Sequence, residues 1–251
     1  MINNIEYKRK LQANERRHFR GPNSTIPIIV RIKGNINKIN LKHAIKEIQK
    51  RHILLNVKIE VDNNNSAWFT TRDVDEIPIK IIERTSDKQW ISICEVENKI
   101  PFDYLHKPPI RIILLHSNKK SDLILFCHHM FSDGMSIAYL ARDLMQILGN
   151  PEKKLKQLPP PPLLDRDNIP KEYKINKLIQ KIIERINNKW KKEEVIFNQD
   201  DFLSIFNAYW ENNSHKIKTI ELSEKQTESL IKKCRNEKVT VNFGKITQAR
   251  H

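Results

Sequence analysis

His128-His129-Met130-Phe131-Ser132-Asp133-Gly134 joins two segments with opposite periodicities. Before it, Asp122–His128 (DLILFCH) is a short apolar run of strand type. After it, Ile137, Leu140, Ala141, Leu144, Ile147 and Leu148 recur on one helical face until Gly149. The heptapeptide is therefore a strand-to-helix turn carrying two imidazoles, an acid and a glycine. The chain has only five glycines, so one beside an acid at this turn is expected to meet a backbone need, either positive φ or close approach by a ligand. A neutral imidazole with a pKa near ~6.5 can take a proton from a hydroxyl or an amine at physiological pH. The residues alone leave other readings open: two ordinary turn histidines, a metal site from His128, His129 and Asp133, or a Ser132 nucleophile. Adjacent ligands seldom face one ion, there is no HExxH spacing, and Ser132 lacks a GxSxG elbow.

Working outward, Ile110–His116 (IRIILLH) forms a hairpin with Asp122–His128 across the polar turn 117–121. Ile26–Lys33 (IPIIVRIK) reads as a strand ended by Gly34. Asn40 is expected to cap a helix presenting Leu41, Ala44, Ile45 and Ile48. Residues 56–61 alternate as a half-buried strand, and 67–71 and 79–82 add two more. Asp87 is expected to cap a helix running to about Asn98. Pro159–Pro162 mark a loop. After Pro170, Ile175, Leu178, Ile179, Ile182, Ile183, Ile186 and Trp190 form the apolar stripe of a helix expected to pack on a core. His215–Leu222 reads as a strand, and Ser223 with Gln226 forms a capping box. Phe243–His251 has no clear period. Strands and helices interleave, giving an α/β or α+β layered domain.

Composition excludes several classes. At 39% hydrophobic and 30% charged residues the chain is globular rather than disordered, and no run reaches the ~18 apolar residues of a membrane span. Residues 1–20 contain no apolar core of signal-peptide length, so a cytoplasmic location is expected. Cys94, Cys127 and Cys234, an odd number spaced far apart, suggest no disulfide framework. The net charge of +15 is spread along the chain without zinc-finger or RNP-like motifs, which argues against a nucleic-acid partner.

The heptapeptide matches the HHxxxDG signature of the condensation-domain and coenzyme A-dependent acyltransferase superfamily, whose fold resembles chloramphenicol acetyltransferase. Three other segments resemble family elements in order and spacing over roughly residues 5–165. Arg9–Leu11 with Glu15 (RKLQANE) looks like the opening of the alcohol acetyltransferase-like branch, and Leu41–Asn56 resembles the first helix with its RHxxLR ending. Pro101-Phe102-Asp103 with Pro109-Ile110-Arg111 resembles its PFD…PLLR element. Val239-Thr240-Val241-Asn242 is similar to the opening of the second lobe.

The resemblance implies a chloramphenicol acetyltransferase-like N-terminal lobe at 1–165, a mixed sheet with flanking helices. A proline-led linker and amphipathic helix at 166–214 and the start of an incomplete second lobe at 215–251 would follow. It implies that His129 accepts a proton from an acceptor hydroxyl or amine as that group attacks an acyl thioester. His128 supports the turn, Asp133 is structural and paired with an arginine, and Gly134 keeps the donor channel open. Asn56 stands where the family has arginine, so Arg111 or Arg51 must pair with Asp133, or the pair is lost. The expected reaction is O-acylation of a small-molecule alcohol by acyl-CoA or a phosphopantetheine thioester, with no bound cofactor and no metal. Alternatives are peptide-bond-forming condensation, or a non-catalytic half-domain docking a carrier protein or a complementary second chain. Basic charge suits an acidic carrier or coenzyme A. The chain is expected to be a truncated member, with activity at this length an open question.

Overall fold

The computed structural model describes residues 6–163, 176–190 and 197–241. In chain order the elements are β1 (Lys8–Lys10), α1 (Ala13–His18), β2 (Thr25–Lys33) and α2 (Lys38–Arg51), then a single 3₁₀ turn (Ile53–Asn56). Next come β3 (Lys58–Val61), β4 (Ala67–Thr70), β5 (Ile79–Glu83), α3 (Gln89–Glu97), β6 (Ile110–His116), β7 (Lys120–His128) and α4 (Gly134–Gly149). The last three helices are α5 (Lys177–Trp190), α6 (Gln199–Asn212) and α7 (Glu224–Asn236). The chain divides into two compact units, Met1–His215 and Lys216–His251.

The first unit is built on a four-stranded mixed sheet in the order β2-β7-β6-β5. Strand β7 lies antiparallel to both β2 and β6, and β5 runs parallel to β6 through the α3 crossover. The expected α/β architecture is therefore present, and its sheet follows directly from the apolar runs. On one sheet face Leu123, Leu125 and Cys127 of β7 join Ile110, Ile112 and Leu114 of β6 against Leu41, Ala44, Ile45 and Ile48 of α2 and Ile137, Leu140 and Leu144 of α4. Alternation along β7 sends Asp122, Ile124, Phe126 and His128 to the opposite face, where all four are buried. A smaller antiparallel sheet, β1-β4-β3, sits beside it, and Tyr104 accepts a bond from the Ile59 N–H at 2.7 Å. Gly34, at φ 105°, makes the turn after β2 that places its N–H 2.8 Å from the Lys119 carbonyl.

Several expectations need correction. The N-cap of α2 is Asn37, whose side chain accepts from Asn40 N at 2.7 Å, so the helix begins earlier than Asn40. Lys88, not Asp87, precedes α3, and no side chain caps it; the Asp87 carboxylate is drawn instead to Arg84 at 2.5 Å and Lys120 at 3.6 Å. Residues 215–222 form no strand: their alternation is real, but among the described residues no strand pairs with them. Helix α5 forms, yet Leu178, Ile179, Ile182, Ile183 and Ile186 are exposed rather than packed on a core. Pro170, Ile175, Asn242 and Phe243–His251 lie outside the described residues. In the second unit the Ser223 capping box is present, with Gln226 returning a bond of 2.9 Å to Ser223 N. No described helix is long and apolar enough to cross a membrane.

Candidate active site

The site is assembled where β7 ends. His128 is the last residue of β7 and points to the face away from the α2/α4 core, its N–H bonded to the Pro109 carbonyl at 2.9 Å. Phe102 and Tyr104 meet its ring edge-on at 5.5 and 6.0 Å. Its Nδ1 accepts the Met130 N–H at 3.2 Å, which assigns the proton of the neutral ring to Nε2. Burial, reinforced by the neighbouring His18, His129 and Arg111, lowers its pKa to about 3. This imidazole is a neutral structural strut.

The neutral His128 gives the fold a pH signature. An unfolded histidine protonates below pH ~6.5 and the native one does not, so the unfolded state holds more protons between about pH 3 and 6.5. Stability is then lost as pH falls through that window, by roughly 1 kcal/mol per unit. His18 and His52 are also lowered and act in the same direction. Chemical denaturation of wild type and His128→Gln at pH 6.5, 5.5 and 4.5 isolates the His128 share. The wild type is expected to lose more stability per unit than the variant; parallel pH dependences would refute the neutral strut.

One residue on, the chain turns outward. The His129 N–H bonds to the Ser24 carbonyl at 2.7 Å, leaving its ring half-buried and stacked on His18 at 4.1 Å with planes 16° apart. Asp133 follows as the N-cap of α4, its Oδ1 accepting the Ser136 N–H at 2.8 Å. Those Ser136 bonds, with a smaller contribution from His129, hold its carboxyl below the usual range. Ser132 is buried and its hydroxyl donates to the Asp133 carbonyl at 3.2 Å, which occupies it within the turn. Gly134 opens α4 without positive φ, and a Cβ there would meet nothing within 4 Å. Of the two expected reasons for the glycine, positive φ is not the one; open space beside the turn is what it offers.

The arginine pairing implied for Asp133 is not formed by either candidate. Arg111 reaches the other way. Its guanidinium binds the carbonyls of Glu97 (2.9 Å), Ile100 (3.1 Å) and Pro101 (3.1 Å) at the C-terminal end of α3, stacks on Phe102 at 4.2 Å, and lies 3.4 Å from the Glu97 carboxylate. Orphan helix carbonyls and a buried acid are stronger claims on a buried guanidinium than an exposed carboxylate that already caps a helix. Arg51 and His52 meet Asp143 of α4 instead, at 2.7 and 2.9 Å. Asn56 donates to the Gln49 carbonyl at 2.7 Å, closing the end of α2. The RHxxL segment thus ties α2 to α4 through Asp143 rather than through the turn.

Three contributors sit far from the motif in sequence. Arg9 grips Glu15 with two bonds of 2.7 and 2.6 Å, and Glu15 accepts from Gln12 N at 2.7 Å, which pins the short helix α1 that ends in His18. Tyr104, fully buried, donates to Gln199 at 3.1 Å and continues an aromatic row from Phe19 to Phe202, Phe206 and Trp210 of α6. The indole of Trp210 bonds to the Pro22 carbonyl at 3.1 Å. The Phe202, Phe206, Trp210 spacing of one helical face is visible in the sequence; the His18–His129 contact, between residues more than a hundred positions apart, is not. The Cys127 thiol lies in the apolar core, where burial holds it well above the ordinary thiol range and unreactive. Among the described residues no group of three or more His, Cys, Asp or Glu is placed to hold a metal ion.

A model of the condensation-domain family matches residues 18–243. The chain belongs to that family. As a condensation-domain chain it is 28% identical over 163 residues to the nonribosomal peptide synthetase kk1B of Curvularia clavata, covering 64% of this chain and 1% of the relative. It is 27% identical over 158 residues to bacitracin synthase 3 of Bacillus licheniformis, covering 59% of this chain and 2% of that one. The condensation-domain fold is also shown by the first condensation domain of the calcium-dependent antibiotic synthetase, solved with a substrate analogue. That likeness has a TM-score of 0.51 at 13% identity, over 61% of this chain and 40% of the other. The chain therefore spans only 1% and 2% of the length of these two synthetases.

Proposed function

We propose that this chain transfers an acyl group from a carrier-borne phosphopantetheine thioester to an amine, forming a peptide bond, with His129 as general base. The observation that carries the reading is the contrast between adjacent imidazoles. His128 is sealed and neutral, whereas His129 is half-exposed. In the step, the amine nitrogen attacks the thioester carbonyl carbon. A ring nitrogen of His129 takes the amine proton as the C–N bond forms, the C–S bond then breaks, and the proton passes to the departing thiolate. Asp133 and Ser132 are occupied in the turn and hold its shape. Membership in the condensation family and likeness to peptide synthetases favour an amine over the alcohol acceptor expected from the opening motif. Residues 1–165 would form the N-terminal lobe, 166–214 the linker and helix, and 215–251 the start of the second lobe.

The test offers the full chain an acyl-phosphopantetheine thioester, on a carrier and free, with an aminoacyl acceptor and an alcohol in competition, and reads the products by mass spectrometry. Amide formation above the uncatalysed rate is the expected result. Ester as the sole product would replace this reading with O-acylation, and no product from a folded chain would refute it.

A further inference from the structure

The imidazole beside His129 belongs to a second histidine, and the surrounding structure fixes its position. Helix α1 is held at its start by the Arg9–Glu15 grip, and its last residue, His18, enters a tight loop. In that loop the His18 carbonyl accepts the Gly21 N–H at 3.0 Å, and Arg20 adopts a left-handed φ of 59°. A Cβ on Gly21 would lie 2.4 Å from Ser24 Oγ and 3.1 Å from the His18 carbonyl, so a larger residue there requires the Ser24 hydroxyl to turn away and the loop to shift. Arg20 binds Asn65 at 3.3 Å and Trp210 binds the Pro22 carbonyl, anchoring the loop from two sides. The same loop supplies the Ser24 carbonyl that fixes the His129 backbone. Both partners of the stack are thus anchored through one short segment.

We propose that His18 is a positioning residue for His129: stacked face to face, it fixes the plane of the His129 ring, and a proton on His129 disfavours one on His18. The inference rests on the reading of His129 as the base. Two imidazolium rings 4.1 Å apart would repel in a site only partly open to water, so a proton on one disfavours a proton on the other. Burial, His129 and Arg17 all oppose protonation of His18, in that order. His128, which is neutral, and Asp133, whose carboxyl is held down in part by His129, also face the pair. A base must be aimed to act, and the stack fixes the plane in which the His129 ring lies. His18 need not touch substrate to do this.

The experiment is an NMR titration of the full-length protein labelled at its histidine rings, with His18 and His129 resonances assigned by single substitution. His129→Gln is expected to raise the His18 midpoint by about 0.5–1 pH unit, because the charge that opposes a proton on the ring 4.1 Å away is gone. His18→Phe keeps a stacked ring and is expected to preserve the ordered His129 ring signals that His18→Gln broadens. Backbone amide spectra confirm that each variant is folded. A His18 midpoint unchanged in His129→Gln, or His129 ring signals as ordered in His18→Gln as in His18→Phe, would overturn the proposal. Because the readout needs no substrate, a chain in which His129→Ala leaves acyl transfer intact would defeat the general-base reading without touching the measured coupling. A merely structural His18 would leave the His129 ring signals equally ordered in the glutamine and phenylalanine variants.

Discussion

Asp122→Ala is expected to lower the free energy of unfolding by about 3 kcal/mol, measured by urea denaturation at pH 7. The Asp122 carboxylate is wholly buried on β7, yet it meets two guanidiniums. Arg31 Nε of β2 lies 2.7 Å from one oxygen, and Arg84 Nε, just past β5, lies 2.9 Å from the other. One buried anion therefore straps both edges of the four-stranded sheet to its interior strand. Removing it strands the two cations, and their exposures decide the magnitude. Both keep Asp87 as an outer partner, but Arg84 is 8% exposed, whereas Arg31, at 41%, can turn to water. The loss thus falls at the lower end of the ~3–5 kcal/mol range for breaking a buried pair. Arg31→Ala removes the better hydrated partner and leaves the acid paired with Arg84, so its expected cost is nearer ~1 kcal/mol. An Arg31→Ala variant less stable than Asp122→Ala would refute this account of which charge is stranded.

Asp122 also shows where sequence reading succeeds and where it stops. The hairpin of β6 and β7, strand β2 and helices α2 and α4 were legible because each carries an uninterrupted apolar period. Burial of one face is what gives these elements their stability. The same alternation that places Leu123, Leu125 and Cys127 in the core puts Asp122 and His128 on the other face, but it does not say what waits there. Cross-sheet partners such as Arg84 and Arg111 depend on tertiary geometry. Hence the arginine implied for Asp133 proved to be serving the carbonyls of α3, and the Arg51–His52 pair proved to be bound to Asp143. Residues 215–222 failed for a related reason: alternation permits a strand, and only a neighbour makes one. Helix α6 had its signals in plain view, an Asn198–Asp201 capping box and three aromatics on one face. His18 had none, because nothing in residues 13–18 indicates a ring to stack on.

The motif's two histidines make the sharpest functional contrast, and His129→Ala is expected to reduce kcat/KM for acyl transfer by about 10²–10⁴-fold, the usual worth of a positioned proton acceptor. Stability should change little. The bond that anchors residue 129 is made by its backbone N–H to Ser24, which alanine keeps, and the side chain is half-exposed. A surface truncation of this kind costs within about 0.5 kcal/mol, plus the modest stacking contact with His18. His128→Ala should behave in the opposite way. It empties a buried site lined by Phe102 and Tyr104 and leaves the Met130 N–H without its acceptor, so unfolding free energy falls by about 2–4 kcal/mol while the proton acceptor itself remains. Kinetics and denaturation of the two variants side by side therefore separate chemistry from architecture. If His129→Ala lost stability but not rate, the exposed imidazole would be another strut and the base would have to be sought elsewhere. A large rate loss at unchanged stability would locate the proton transfer at the one imidazole of the motif that the fold leaves open to a substrate.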